Sequence, residues 1–430
     1  MNIAVLGCGT VGAGVIKLLM QNREAISKRA GEEINVKKVL EKDKDKCRRL
    51  GLPEESICTN YAEIVDDPDI DIVVELIGGI DPAFTFILEA MQKGKHVVTA
   101  NKDLIALKGR QIFDTAEKMQ VDFAFEASVG GGIPIILPMK QSLAGNQVQE
   151  VIGILNGTTN YILSKMSQEG RDFDEVLREA QELGYAEADP SSDVGGLDAA
   201  RKIAILASIA FNSRVTLDDV YVEGITSITA RDIQYAKELG YVVKLLAIAS
   251  EEEGKIQSRV HPAFIPLTHP LAAVNDVFNA VFVRGDAVGE IMLFGRGAGE
   301  MPTASAVVGD IIDISRNKVH DCHARIGCTC YEEKEILPIH ELSSQFYIRM
   351  TVKDRPGVLA SIAGVFGNND VSIESVIQKS SDEGKAELIL ITHLTKEENL
   401  RDSLMILRDM KIVGAIDNVI RLAGIRKGDS

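Results

Sequence analysis

The sequence predicts three successive folds: an α/β domain built on a parallel sheet, a mixed α+β domain, and a small β-α-β-β-α-β domain of ferredoxin-like pattern. Three observations predict this. The first third alternates short apolar runs with helical periodicity, the pattern of parallel strands joined by crossover helices. The middle third loses that regular alternation. A polar, irregular stretch at 317–343 then precedes a last block with its own strand and helix order.

The elements follow in order. Ile3 to Leu6 is a strand, followed by glycines and an apolar-periodic helix from about Val11 to Ile26. Strands are expected near Val36–Leu40, Ile70–Glu75, His96–Thr99 and Phe123–Glu126, with helices between them, such as Pro82–Lys93. In the middle, EVIGILNGTTNYILSKM predicts strand, tight loop and helix. Phe173–Leu183 and Gly196–Phe211 are expected helices. Tyr241–Ala249, Arg259–Phe264, Asn279–Arg284 and Val288–Phe294 are expected strands. Thr303–Arg316 is apolar at helical spacing and is expected to return to the first domain. After the polar stretch, FYIRMTVKDRPGVLASIAGVFGNNDVSIESVIQK predicts strand, helix, strand. KAELILITHL is a strand, Glu398–Asp409 a helix, and Asn418–Leu422 a last strand. The expected domains are 1–135 (with 303–318 returning to it), 136–302, a linker at 319–343, and 344–425.

Composition excludes several function classes. The net charge of -16 repels a phosphate backbone, and Trp is absent with only 5% aromatics, so nucleic acid is not an expected partner. No apolar run reaches the ~18 residues of a membrane span, so no membrane partner is expected. The N-terminus MNIAVLGCG lacks the basic start and long apolar stretch of a signal peptide. The six cysteines show no disulfide framework, and a reducing, cytoplasmic setting is expected. VHDCHARIGCTC gathers His320, Cys322, His323, Cys328 and Cys330, but C-x-C is not the usual zinc knuckle. A linker with reduced thiols is the expectation there.

GCGTVG supplies Gly7, Gly9 and Gly12 in a G-x-G-x-x-G pattern after the first strand, with Thr10 and Val11 opening the helix. This is the context of a Rossmann-type dinucleotide site. Gly7 allows the tight turn, Gly9 the approach of a pyrophosphate, and Gly12 close helix-strand packing. The helix N-terminus offers N–H groups to the phosphates. Near the end of the second strand, Glu41 favours a ribose 2′-hydroxyl and hence NAD, whereas Lys42 or Lys44 would favour NADP. The long spacing from Gly12 leaves both open.

TANKD (residues 99–103) follows a strand at its carboxyl end, where such sheets bind ligands, and carries Lys102. The run AQELGYAEADPSSDVGGLDAARK, from Ala180, holds Glu187, Asp189, Asp193, Asp198 and Lys202. Asp198 and Lys202 fall one turn apart on a helix starting near Leu197. In isolation, an acidic loop with a helical ion pair explains this run as well as a site does.

The whole run closely resembles the signature of the homoserine dehydrogenase family. NGTTNYIL from Asn156, EASVGGGIP from Glu126 and the TANKD loop also resemble that family, so the likeness spans roughly residues 1–316. The C-terminal block resembles an ACT domain. The resemblance implies NAD(P)-dependent interconversion of homoserine and aspartate semialdehyde, on the way to threonine and methionine. It implies that Lys202 handles the proton at the substrate oxygen, with Lys102 assisting. Glu187, Asp198, Asp193, Thr158 and Tyr185 would bind substrate. Ile77, Gly78 and Gly299 (in GRGAGE) would join Lys102 in contacting the cofactor. Glu126, Val129, Gly131 and Ile133 match the family's sodium-binding loop. The DRPG turn from Asp354 implies an amino-acid effector, with threonine indicated by the pathway, and feedback regulation. A homodimer or homotetramer is expected.

The chemistry fits these roles. Hydride can leave the carbinol carbon only as its oxygen loses a proton, so a base must reach that oxygen within about 3 Å. Two other readings compete: a dehydrogenase of another hydroxy or amino acid, and a non-catalytic amino-acid sensor. The lysine pair opposes the sensor. The absence of cysteine from the middle domain opposes a thiol-dependent semialdehyde dehydrogenase.

Overall fold

The structure, a computed structural model, describes residues 1–322, 324–380 and 384–424. His323 of the cysteine and histidine cluster and residue 425 of the expected last domain lie outside the described residues. The chain opens with β1 (Asn2–Leu6), α1 (Thr10–Gln21), β2 (Asn35–Leu40), β3 (Ile57–Cys58), β4 (Ile72–Glu75), β5 (His96–Thr99), α2 (Lys102–Met119), β6 (Phe123–Ala124) and α3 (Ile136–Lys140). It continues through α4 (Gly157–Glu169), α5 (Leu197–Ala210), α6 (Ala230–Glu238), β7 (Tyr241–Glu252), β8 (Lys255–Pro266) and α7 (Glu300–Val319). It closes with β9 (Ser343–Lys353), α8 (Val358–Asn368), β10 (Ile373–Ser380), β11 (Lys385–Thr392), α9 (Glu397–Asp409) and β12 (Val413–Leu422). Packing divides it into two compact units. One holds Met1–Val151, Arg201–Leu217 and Asn279–Glu333; the other holds Ile152–Ala200, Asp218–Phe278 and the chain from Lys334.

In the first unit six parallel strands run in the order β3-β2-β1-β4-β5-β6, the doubly wound arrangement expected from the alternating pattern. Its central strands are apolar through Ile3–Leu6, Ile72–Val74 and Val97–Val98 because both faces are covered. Ile3, Val5, Ile72 and Val74 face α1 and α7, meeting Val15, Ile16, Val307 and Ile311. Ala4, Leu6, Val73 and Val97 face the other way, onto α2 residues such as Leu104 and Ile112. The late helix α7 thus completes a layer that the first third of the chain cannot cover alone. It docks tightly: a Cβ on Gly14 would lie 2.8 Å from the Glu300 carbonyl oxygen, and Lys17 Nζ meets Glu300 Oε1 at 2.6 Å.

In the second unit β7 and β8 form a long antiparallel hairpin. The end of β8 pairs in parallel with β12, through Ala263–Arg421 and Phe264–Leu422. The sheet therefore runs β7-β8-β12-β9-β11-β10 without interruption. Within the β-α-β-β-α-β block, alternate residues Phe346, Ile348, Met350 and Val352 of β9 face α8 and α9 and form its core. The intervening Tyr347 and Arg349 face α6 instead. Inside the stretch expected as a linker, Glu335 and Ile336 pair with Lys255 and Ile256, and the Leu337 N–H reaches the Ile256 carbonyl at 2.8 Å.

One buried lysine organises the unit. Lys244 is 1% exposed; its ammonium donates to Asn160 Oδ1 at 3.0 Å, to Asn275 Oδ1 at 3.2 Å and to the Val274 carbonyl. Burial lowers its pKa from 10.5 to about 8. The unfolded chain then binds more protons than the folded one between pH 8 and 10.5, so stability should rise with pH across that window. Relative to Lys244→Met, the wild-type protein is expected to gain up to about 3 kcal/mol between those limits, each pKa unit being worth ~1.4 kcal/mol. Urea midpoints of both proteins at pH 7.5 and 10.5 check this; parallel pH profiles would contradict it.

Among the described residues, no helix is long and apolar enough to cross a membrane.

Candidate active site

The dinucleotide loop has the form its glycines dictate. Gly7 has φ +98°, and a Cβ there would lie 2.9 Å from the Leu76 carbonyl oxygen. At Gly12 a Cβ would lie 2.0 Å from the Gly7 carbonyl oxygen. At Gly9, by contrast, nothing lies within 4 Å, which is the open approach a pyrophosphate needs. Gly9 caps α1, whose first turn begins at Thr10 and Val11. The residues present therefore fit a dinucleotide. Gly299 caps α7, the helix packed on α1, with φ +125°.

Glu41 lies beside this loop. Its carboxylate accepts the Cys8 N–H at 2.8 Å and the Asp43 N–H at 3.1 Å, and Lys46 stands 3.9 Å away. Burial raises its pKa, but these N–H groups and Lys46 outweigh it and hold the carboxyl below the usual range. Cys8 is buried against Cys47 beneath the loop, and burial pushes its thiol up, so this cysteine is a packing residue in the reduced protein.

A second loop is shaped by residues that motif reading passed over. Glu75, wholly buried at the end of β4, accepts the N–H groups of Ile77 (2.8 Å) and Gly78 (3.0 Å) and the Thr99 hydroxyl (2.6 Å). Asn101 donates to the Gly79 carbonyl at 2.6 Å and caps α2 by accepting the Leu104 N–H at 3.1 Å. Lys102 is the first residue of that helix. Its neighbour Asp103 pairs with Arg201 at 2.8 Å, fastening the start of α2 to the helix in which Lys202 follows Arg201. Both lysine side chains are partly exposed.

In the second unit, Asn156 is the hub. Its side-chain oxygen caps α4 by accepting the Thr159 N–H at 2.8 Å. Its amide donates to Asp193 Oδ1 at 2.8 Å and to Asp198 Oδ2 at 2.9 Å. Thr158 donates to the Tyr185 carbonyl at 2.6 Å. The Tyr185 ring is 44% exposed, and Glu187 is exposed on the loop that follows. Gly196, at φ +86°, turns the chain into α5, which carries Asp198 in its first turn and Lys202 one turn later. Asn156 was legible only as part of NGTTNYIL; an Asn before a helix reads as a cap, and its second role needs the fold.

The strand expected to run through Glu126 ends at Ala124, and a 3-10 turn spans Glu126–Ser128. The reason is the Glu126 carboxylate, which folds back to accept the N–H groups of Ile135 (2.5 Å), Ile136 (2.8 Å) and Leu137 (2.7 Å) at the start of α3. Its own N–H donates to Asp310 at 2.9 Å. Burial raises the pKa of both carboxyls, against those hydrogen bonds. The loop turns through Gly130 (φ +73°) and Gly131 (φ +56°), and a Cβ on Gly131 would strike the Gly297 carbonyl oxygen. With the carboxylate engaged by three amides, Val129, Gly131 and Ile133 offer main-chain oxygens, the donor type a hard monovalent cation takes. Among the described residues, no three His, Cys, Asp or Glu side chains are grouped for a metal ion.

Comparison with known proteins agrees on one family. Residues 7–126 match the model of the homoserine dehydrogenase NAD-binding domain, 134–312 that of homoserine dehydrogenase, and 346–411 that of the ACT domain. The homoserine dehydrogenase of Synechocystis is 49% identical, the alignment covering 98% of this chain and 99% of that one. A solved homoserine dehydrogenase from Thiobacillus denitrificans is 43% identical, with a TM-score of 0.93 over 98% of each chain. A hyperthermophilic archaeal homoserine dehydrogenase solved in complex with NADPH is 29% identical, with a TM-score of 0.63 over 73% of this chain and 97% of that one. The chain, with its Rossmann-type domain, mixed catalytic domain and ACT domain, belongs to the homoserine dehydrogenase family of NAD(P)-dependent oxidoreductases.

Proposed function

We propose that the chain interconverts L-homoserine and L-aspartate 4-semialdehyde with Lys202 as the acid-base group. The carrying observation is the pairing of Arg201 with Asp103, which fastens the Lys202 helix beside the start of the Lys102 helix. A nicotinamide dinucleotide, held by Gly7, Gly9, Thr10, Val11, Gly12, Ile77, Gly78 and Gly299, supplies or takes the hydride when bound. In the oxidative direction Lys202 takes the hydroxyl proton; in the reductive direction its ammonium returns one to the carbonyl oxygen. Lys102 assists at that oxygen and on the cofactor side. Asp193 and Asp198, oriented by Asn156, together with Glu187, receive the substrate ammonium. Thr158, which donates to the Tyr185 carbonyl, and Tyr185 complete this substrate-binding set. Sodium at the carbonyls of Glu126, Val129, Gly131 and Ile133 would stiffen the loop. The substrate profile tests this reading. L-Homoserine should be oxidised faster than L-serine, D-homoserine or 2-hydroxybutyrate. Faster oxidation of any of these would overturn it.

Glu41 bears on cofactor choice. A carboxylate held ionised beside the loop repels a 2′-phosphate, so NAD(H) should serve at least as well as NADP(H). Glu41→Ala should then shift kcat/KM toward NADPH by about tenfold, the effect of ~1.4 kcal/mol of repulsion. An NADPH preference in the wild type that Glu41→Ala leaves unchanged would show that the residue does not decide.

In this reading the enzyme acts on the route to threonine and methionine, in a cytoplasmic setting, as a homodimer or homotetramer. The ACT domain supports feedback by an amino acid, with threonine as the effector. An effector shifts activity only by binding two conformations unequally.

A further inference from the structure

The cysteine and histidine stretch carries chemistry that the dehydrogenase reaction does not use. After α7 the chain returns past α5 as Gly327-Cys328-Thr329-Cys330. Lys140 holds it by donating to the Gly327 carbonyl at 3.0 Å, and the Cys330 thiol points to the Ser208 carbonyl at 3.8 Å. Two residues on, the Glu332 N–H meets the Asn212 carbonyl at 2.9 Å, and Glu332 bridges Ser213. These ties hold both sulfurs at a small pocket lined by Phe113, Phe125, Lys140, Ser208 and Arg214. Cys328 and Cys330, separated by one residue, both line that pocket. Cys328 is exposed, Cys330 partly so, and both are free thiols.

We propose that Cys328 and Cys330 form a redox-active dithiol that a peroxide closes to an intrachain disulfide. Two cationic side chains, Arg214 and Lys140, line the same pocket as the exposed Cys328 sulfur, which is the setting of a thiolate nucleophile. The Cys330 thiol, followed by desolvation in the other sense and then its N–H, Arg214 and Lys140, sets the Cys328 pKa, lowered to about 6; Cys330 is raised. The Cys328 thiolate attacks a peroxide oxygen, the O–O bond breaks, and the leaving oxygen departs as water or alcohol once protonated. The resulting sulfenic acid meets Cys330, which forms the S–S bond as its own proton and the sulfenic hydroxyl leave as water. Sulfur is oxidised by two electrons and the peroxide reduced by two. Cys8, Cys47 and Cys58 differ in being buried.

The test uses the intact protein and mass spectrometry of the peptide that holds both cysteines. Alkylation of Cys328 by iodoacetamide should show a pH midpoint below 7. Hydrogen peroxide should convert the peptide to a form lighter by two hydrogens. Cys330→Ser should instead accumulate a dimedone-trappable sulfenic acid on Cys328, and Cys328→Ser should give neither product. A Cys328 midpoint in the ordinary range would overturn the proposal. So would peroxide treatment that leaves both thiols reduced, or that yields only irreversible over-oxidation of Cys328.

Discussion

Lys202→Ala is expected to lower kcat by about 10²–10⁴-fold, the usual contribution of a positioned acid-base group. Dinucleotide affinity should stay within a few-fold of wild type, because the glycine loop, Glu41 and the Ile77–Gly78 turn are built from other elements. Steady-state kinetics and NADH fluorescence titration measure the two quantities separately. Lys202→Arg distinguishes proton transfer from charge: a permanently protonated guanidinium keeps the charge but is a poor base. It should be nearly as inactive as Lys202→Ala in the oxidative direction. A Lys202→Ala enzyme retaining half the wild-type kcat would reject the assignment.

The second large effect concerns the seam between α6 and the ACT sheet. Asp232 is wholly buried; it closes a capping box with Thr229 and accepts Arg349 Nε at 2.8 Å, Tyr347 at 3.2 Å and Asn418 at 2.8 Å. Glu387 adds a second carboxylate, meeting Arg231 at 2.7 Å and bonding to Tyr235. Removing one partner of such a pair strands a buried charge, so Arg349→Met should cost about 3–5 kcal/mol. Asp232→Asn with Arg349→Met should recover most of that loss, since removing both charges is close to neutral. Denaturant midpoints of the two single variants and the double variant check this, and additive losses would contradict it. The pH dependence has a definite sign. Burial raises the Asp232 pKa, but Arg349, Thr229 and Asn418 prevail and hold it below the usual 3.8. Its stabilising share is therefore complete above that value and is lost as pH falls through the folded pKa. The seam also bears on truncation. A chain cut before Ser343 loses Tyr347, Arg349 and Asn418 together, so it should fold better carrying Asp232→Asn.

The sequence made the first unit legible because its determinants are local. The period-two split of Ile3 and Val5 from Ala4 and Leu6, the glycine turn, and the helical spacing of 303–316 each point to one answer. It also revealed the β-α-β-β-α-β block, whose alternation at Phe346, Ile348, Met350 and Val352 is complete. What it hid was pairing between distant segments. Nothing around Phe264 announces that this strand end will receive Leu422, and nothing in Arg349 names Asp232 as its partner. The candidate site shows the same division. Lys102, Lys202, Asp193 and Asp198 stand in motifs, but Glu75, through Thr99, and Asn156, through Asp193, act by contacts that close only when distant segments meet. A buried Glu at a strand end and an Asn before a helix carry no sequence mark of that second task.

The central claim is tested most directly by mixing the purified protein with L-aspartate 4-semialdehyde and NADH, then NADPH, and following nicotinamide absorbance while identifying the product by mass. The account predicts loss of absorbance matched mole for mole by L-homoserine, with at least one of the two cofactors. A folded protein that turns over neither cofactor, or that consumes it without forming homoserine, would contradict it.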